Sequence, residues 1–276
     1  MSYGRGNNYK GRKKFEKAAE ASPAGDTSGD IIYGRNSVIE ALRSGRSINK
    51  ICFSGEMSGS LGMIIAEAKE KNIVVVKQSR QNLDELCGNV NHQGVAALVA
   101  AADYVDVDDI LACAREKGED PFIIVLDEIQ DAGNLGAIIR TADAVGAHGI
   151  IIPKRRAVPL TGAVAKASSG AVSYVKVARV PNIVNELQHL KEEGLWITGT
   201  SDSGKTTFYN ADLTGPLAIV IGNEADGMGR LVSEQCDFIV NIPMAGTVSS
   251  LNASVAAGVV LYEAFRQRSG KGNFKS

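Results

Sequence analysis

Residues 239–265 read IVNIPMAGTVSSLNASVAAGVVLYEAF, and they constrain the fold more than any other stretch. Ile239 to Ile242 is a short apolar strand, stopped by Pro243, which has no N–H to give to a ladder. A loop of mostly small residues follows, Met244 to Ser249. From Leu251 to Phe265, apolar residues recur at Val255, Val259, Tyr262 and Phe265, which is helical spacing. No charge falls between Leu251 and Tyr262, so the helix is expected to be buried nearly all round. Its polar residues crowd the front: Ser249, Ser250, Asn252 and Ser254. Hydroxyls and an amide behind a glycine-bearing loop suit a binding site, and N-capping by serine would account for the same residues.

Working outward, the chain alternates strands and helices. Phe122 to Asp127 (FIIVLD) is a continuous apolar run of the kind buried on both faces. Helices are expected over 135–145, 161–167 and 183–193, and strands over 149–152, 174–177, 195–199 and 217–221. This alternation predicts a mostly parallel sheet covered on both sides, with ligands at the carboxyl ends of its strands. A smaller α/β unit precedes it. There Ser37-Val38-Ile39-Glu40 has a capping-box pattern opening a helix that Gly45 can end. Strands over 50–54, 73–77 and 95–101 and helices over 61–71 and 82–86 complete the unit. The expected domains are a basic tail at 1–29, a small domain at 30–104, a linker at 105–120 carrying one acidic-capped helix, and a large domain at 121–270.

Composition narrows the class. The 276 residues carry a net charge of −1, with 44% hydrophobic and 22% charged, ordinary for a soluble globular protein and unlike a generic polyanion binder. The tail concentrates Arg5, Lys10, Arg12, Lys13, Lys14 and Lys17 among Tyr3, Tyr9 and Phe15. It could follow a phosphate backbone and stack on bases, or merely solubilise the chain. Four scattered cysteines and three dispersed histidines support neither a disulfide framework nor a metal site. No run is long enough to span a membrane and no secretory h-region opens the chain. A cytoplasmic protein with reduced thiols is expected.

Three polar clusters stand at or just beyond strand ends. The first is Asn134-Leu135-Gly136 with Arg140 and Thr141. The second is Ile221 through Gly229, where a buried strand runs into a glycine-rich turn bearing Glu224. The third holds Gly246, Ser250 and Asn252. A fourth string, Gly199 to Thr206 (GTSDSGKT), fits the phosphate-loop consensus literally. That loop needs a helix immediately after its Lys-Thr, whereas here a turn-rich stretch closes in Gly215-Pro216. A nucleotide triphosphatase is therefore only a remote alternative.

Asn134-x-Gly136-x-x-x-Arg140-Thr141-Ala142, Ile221-Gly222-Asn223-Glu224 with Gly227, and Ile242-Pro243-Met244-x-Gly246 through Ser250-Leu251-Asn252-x-Ser254-x-Ala256 resemble, in order and spacing, the three motifs of the SpoU (TrmH-type) SPOUT RNA methyltransferases. Tyr33-Gly34-Arg35-Asn36 and His92-Gln93-Gly94-Val95-Ala96 resemble the small L30e-like substrate-binding domain of that family. The resemblance implies an α/β protein whose C-terminal methyltransferase domain, with a mostly parallel sheet, is trefoil-knotted. It also implies a homodimer that uses S-adenosylmethionine to methylate a ribose 2′-oxygen in RNA. It is closest to the subgroup acting on a guanosine of 23S ribosomal RNA. A tRNA-modifying relative is the alternative, and a non-catalytic RNA-binding module a remote one. Carried over by motif, the cofactor meets Thr200, Gly222, Ile242 and Leu251, and the catalytic group is Asn134, Arg140, Glu224, Ser250 and Asn252. In that scheme Arg140, permanently cationic, grips a phosphate and stabilises the developing alkoxide, while Asn134 and Asn252 orient the ribose. Ser250 bonds the reacting group, and Glu224 positions Arg140 or takes a proton. Ala225 departs from the pattern where many relatives carry glycine.

Overall fold

The computed structural model describes residues 31–223, 225–247 and 250–270. The basic tail and Glu224 lie outside them. The small unit runs β1 (Ile31–Tyr33), α1 (Arg35–Arg43), β2 (Ile48–Phe53), α2 (Gly59–Glu70), β3 (Val74–Lys77), α3 (Arg80–Cys87) and β4 (Val95–Val99). Its sheet is ordered β1-β4-β2-β3, with β4 antiparallel to both neighbours and β3 parallel to β2. Helix α1 begins two residues before the expected capping box, because Gly34 turns the chain straight out of β1 with φ 89°. Its N–H reaches Val95 O at 3.1 Å, and the N–H of Arg35 is taken by Gln93 Oε1 at 3.2 Å. Ser37 is thus already inside the helix and does not cap it.

The segment expected as a linker forms α4 (Val107–Lys117), closed at its start by an Asp106–Asp109 capping box. The large unit continues through β5 (Phe122–Leu126), α5 (Ala132–Ala144), β6 (Gly149–Pro153), α6 (Gly162–Ala167), β7 (Val177–Val180), α7 (Ile183–Glu192), β8 (Trp196–Thr200), β9 (Thr206–Thr207), β10 (Leu217–Ile221), α8 (Arg230–Glu234), β11 (Phe238–Asn241) and α9 (Ala253–Arg268). These strands form a seven-stranded sheet, β7-β6-β5-β10-β8-β11-β9, parallel at every pairing. The strand expected at 174–177 starts later, since residues 171–173 take a 3-10 turn and leave Tyr174 exposed. Both faces are covered, as the apolar strands require. On one, Ile124, Leu126 and Ile219 meet Leu135, Ile138 and Ile139 of α5 and Ala257, Val260 and Leu261 of α9. On the other, Ile123, Val125 and Val220 meet Ile110 and Leu111 of α4 and Leu187 and Leu190 of α7.

Helix α9 is not buried all round within one chain. It buries Ala253, Ala257, Val260, Leu261 and Ala264, but Val255 and Tyr262 remain about half exposed. Of the residues that marked its period, Val255 and Tyr262 lie away from its most buried face, while Phe265 packs against the core.

Polar contacts join the two units. Asn49 of β2 donates Nδ2 to Leu160 O at 2.9 Å and accepts from Tyr104 OH at 2.7 Å. Arg179 of β7 donates to Asn49 O at 3.2 Å and lies over the Tyr104 ring, 4.9 Å from its centroid. Burial pushes the Tyr104 hydroxyl up to about 12, so it stays a neutral donor.

Candidate active site

Strands β8, β10 and β11 end side by side, and the segments beyond them enclose a cavity of about 590 Å³. Thr200, Gly222, Ile242 and Leu251 all line it, together with Ser250. These residues are far apart in sequence, and the strand ends bring them together. The sheet order reverses at this side of β5, where open parallel sheets form ligand crevices.

Backbone proximity explains much of the local sequence. A Cβ on Gly222 would stand 2.2 Å from Gly227 C and 2.3 Å from Met228 N, so the loop beyond β10 can fold back only over glycine. Asn223 and Gly227 exchange backbone hydrogen bonds at 3.1 and 3.0 Å, with Gly227 at φ 67°. The Asn223 side chain accepts from the N–H groups of Ala225 and Asp226 at 2.9 and 2.8 Å. Alanine at 225 takes part in this turn through its N–H, which Asn223 accepts. Asp127, one residue past β5 and buried, accepts from Gly229 N–H at 2.7 Å.

The literal phosphate-loop string is accounted for in the same way. A Cβ at Gly199 would press Met228 Cε at 2.6 Å, and one at Gly204 would meet the β11 backbone at Val240 C, also 2.6 Å. Both glycines serve sheet packing. After Lys205 comes the two-residue strand β9 beside β11, not a helix.

Asn252 caps α9, accepting from the N–H groups of Ser254 and Val255 at 3.0 and 3.4 Å. The cap is thus an asparagine and not a serine. Its Nδ2 donates to Asn134 Oδ1 at 2.9 Å, which ties the first motif to the third. Asn134 is the third residue of α5, and its own N–H is accepted by the cap residue Asp131 at 2.8 Å. Arg140 is exposed further along α5 and donates to Ser169 Oγ at 3.3 Å. Neither Asn134, Asn252 nor Arg140 belongs to the cavity lining, although Asn252 stands between two lining residues, Leu251 and Ala253.

Sequence reasoning gave no role to Ser201, Asp202, Ser203, Met228 of the second cluster, Arg230 and Glu234, all of which are in the lining. The first three belong to the string weighed as a phosphate loop; the last two form an ion pair along α8 at 2.5 Å, an element too short to show a period. Among the described residues, the lining carries three carboxylates, Asp202, Asp226 and Glu234, against one guanidinium. A mixed cavity of this size suits a small ligand with apolar and polar parts, and this charge balance favours a cationic group. S-adenosylmethionine, with a sulfonium and an ammonium, fits on both counts. Nearby, burial pushes the Cys236 thiol up to about 12, which keeps it protonated and rules it out as a nucleophile at neutral pH.

A parallel α/β sheet with a cofactor-sized crevice at its strand ends, joined to a small α/β unit, defines a two-unit α/β architecture with a small-ligand site in the larger unit. The family is shown by comparison. Residues 121–262 match the SpoU rRNA Methylase family and residues 31–105 the RNA 2′-O ribose methyltransferase substrate-binding domain, and the chain belongs to this SpoU (TrmH-type) family. It is 50% identical over 240 residues to the TrmH-family tRNA/rRNA methyltransferase YacO of Bacillus subtilis strain 168, covering 87% of this chain and 96% of that one. A TrmH-family tRNA/rRNA methyltransferase of Staphylococcus aureus strain MSSA476 is 47% identical over 239 residues, 86% and 96% of the two chains. The solved SpoU methyltransferase AviRb from Streptomyces viridochromogenes, in complex with S-adenosylmethionine, aligns with a TM-score of 0.55 at 28% identity. That alignment covers 86% of this chain and 89% of AviRb. The chain is thus an RNA 2′-O-ribose methyltransferase, and the methyl donor of its family is S-adenosylmethionine.

Proposed function

We propose that the chain methylates the 2′-oxygen of a guanosine ribose in 23S ribosomal RNA, acting in the cytoplasm as a homodimer with a knotted C-terminal domain. The observation that carries the catalytic reading is the convergence of the three motifs. The second and third share one cavity wall, and Asn252 binds the third to the first through Asn134. The names of the relatives cover tRNA as well as rRNA, so a tRNA ribose is the alternative substrate.

When bound, S-adenosylmethionine supplies an electrophilic methyl group. Thr200, Gly222, Ile242 and Leu251 would hold it, with Ile242 and Leu251 as apolar walls. A ribose hydroxyl is a poor nucleophile at neutral pH and must shed its proton as it attacks. The described part of the three motifs contains no histidine, and a guanidinium is no base. Arg140 therefore works electrostatically, on an RNA phosphate and on the charge developing at the 2′-oxygen. Its bond to exposed Ser169 leaves it near solvent, where RNA can reach it. Asn252 spends its oxygen on the α9 cap and its amide on Asn134, so it acts as a positioning residue for Asn134. Ser250 would bond the reacting ribose, and Glu224 would position Arg140 or accept the proton.

Arg140→Ala should abolish transfer of tritiated methyl groups to RNA while calorimetry shows S-adenosylmethionine bound almost as in wild type. Near-normal turnover would sink the assignment. The same assay with 23S rRNA and tRNA side by side, followed by nuclease mapping, decides the substrate. Methylation of tRNA alone would select the alternative.

A further inference from the structure

The loop beyond β6, residues 154–160, is gripped at both ends where the two units meet. At its start, Arg179 donates Nη2 to Lys154 O at 3.1 Å and Nη1 to Asn49 O of β2 at 3.2 Å. At its end, Leu160 gives its N–H to Tyr104 OH at 2.7 Å, and the same hydroxyl donates to Asn49 Oδ1 at 2.7 Å. Leu160 O accepts from Asn49 Nδ2 at 2.9 Å and from Ala101 N–H at 3.0 Å. Asn49 and Leu160 are both buried. The loop therefore cannot slide on the small unit without leaving buried polar groups unpaired.

The middle of the same loop holds the segment that leads into α5. Val158 N–H donates to Ile129 O at 2.9 Å, and Arg156 pairs with Glu128 at 3.0 Å. Glu128 and Arg156 both take left-handed backbone, with φ of 62° and 58°, and neither is a glycine. Such residues persist only where their surroundings over-determine them, and they gather at functional sites. Two residues beyond Ile129, Asp131 caps α5 and accepts from Asn134 N–H at 2.8 Å. Asn134 in turn accepts from Asn252 at 2.9 Å. A short bonded path thus runs from Asn49 in the small unit to the amide pair that joins the first and third motifs.

We propose that residues 154–160 form a strut by which the small unit fixes the start of α5, and that Tyr104, Glu128 and Arg156 are positioning residues for methyl transfer. The proposal rests on the assignment of Asn134 and Arg140 to that reaction. All three positioning residues lie outside the lining of the cofactor cavity. They act on where α5 stands relative to the small unit, and so on where bound RNA meets Asn134 and Arg140. A misplacement of about 1 Å at a reacting centre costs on the order of a hundredfold in rate. The Glu128–Arg156 pair is partly exposed, with Arg156 facing solvent, and contributes little to stability. Its effect is on geometry, which makes it separable from folding.

The test uses the full chain and the RNA that the wild type methylates. Tyr104→Phe, Glu128→Arg and Arg156→Glu should each lower kcat several-fold at saturating RNA, with the affinity for S-adenosylmethionine unchanged and assays held well below each melting temperature. Exchanging the pair, Glu128→Arg together with Arg156→Glu, should recover most of the lost kcat. Wild-type kcat in the three single variants overturns the proposal. So does a raised KM with a weaker salt dependence in Arg156→Glu that the exchange does not recover, the mark of a direct phosphate contact. Amide hydrogen exchange reads the strut without RNA. Tyr104→Phe should speed exchange at Val158 and Asn134, and unchanged protection at both overturns the strut. A wild-type chain that methylates no RNA would overturn the functional reading and with it the role in methyl transfer, while exchange at Val158 and Asn134 still decides the strut.

Discussion

At the scale of single residues, one buried aspartate holds both ends of the loop that floors the candidate-site cavity. Asp127 donates its N–H to Ile221 O at 2.8 Å, where β10 stops. Its Oδ2 accepts from Gly229 N–H at 2.7 Å, where α8 begins. Gly229 has no side chain to cap α8, and Asp127 fixes that residue's own N–H from just beyond β5. Asp127→Ala leaves that N–H without an acceptor, a cost of about 1–3 kcal/mol. Because the lost restraint falls on residues 222–229, affinity for S-adenosylmethionine should fall along with the melting temperature. Asp127→Asn keeps an acceptor and should recover most of both. Calorimetric titration and thermal melts of the two variants check this, and unchanged affinity in the alanine variant would reject the role. In the sequence Asp127 only ends an apolar run. Its use depends on Gly229, a hundred residues away, and no local pattern announces such a pair. Ser169 beside Arg140 is another contact of this kind.

Secondary-structure elements differ in how much of their placement is local. His148, at the entry to β6, shows the non-local part. Its Nδ1 accepts from the N–H of Phe122 at 3.0 Å, and Nε2 donates to Glu119 Oε2 at 3.1 Å. Protonation would place a second proton against the Phe122 N–H. Burial lowers the proton affinity of this ring, with the charges of Lys117 and Arg268 acting the same way and Glu119 opposing them. A lowered folded value means that the unfolded chain binds the proton first. The stability is intact above the unfolded value, about 6.5, and drains away as pH falls toward the folded one. The slope from this one group is at most about 1.4 kcal/mol per pH unit. Calorimetric melts between pH 7 and pH 5 should fall more steeply for wild type than for His148→Gln, and parallel curves would refute the account. The strands themselves were plain in the sequence, since runs such as Phe122–Leu126 and Leu217–Ile221 are apolar throughout and buried on both faces. Boundaries set by turn chemistry were not. Gly34 starts α1 before the Ser37 box, a 3-10 turn delays β7, and α8 and β9 are too short to carry a period.

At the scale of the whole molecule, the junction between the units escapes sequence reading, whereas the uncharged outer face of α9 is visible in it. The junction is made by Asn49, Tyr104, Leu160 and Arg179, which share no motif. Helix α9 is apolar on two sides. Ala257, Val260 and Leu261 bind the sheet, and Val255 and Tyr262, two turns apart, face outward about half exposed. The Tyr262 ring meets Phe265 edge-on at 6.1 Å. An uncharged helical face turned to solvent is the usual mark of a surface covered by another chain, and it carries the proposed homodimer. If a second copy covers this stripe, Tyr262→Glu buries an unpaired charge at its centre and should split the assembly. Light scattering at micromolar concentration should give a two-chain mass for wild type and a one-chain mass for the variant, with the melting temperature of the separated chain showing that it still folds. A one-chain mass for wild type would remove the dimer. An intact dimer in Tyr262→Glu would move the interface to another face and leave the exposure of this stripe without a cause.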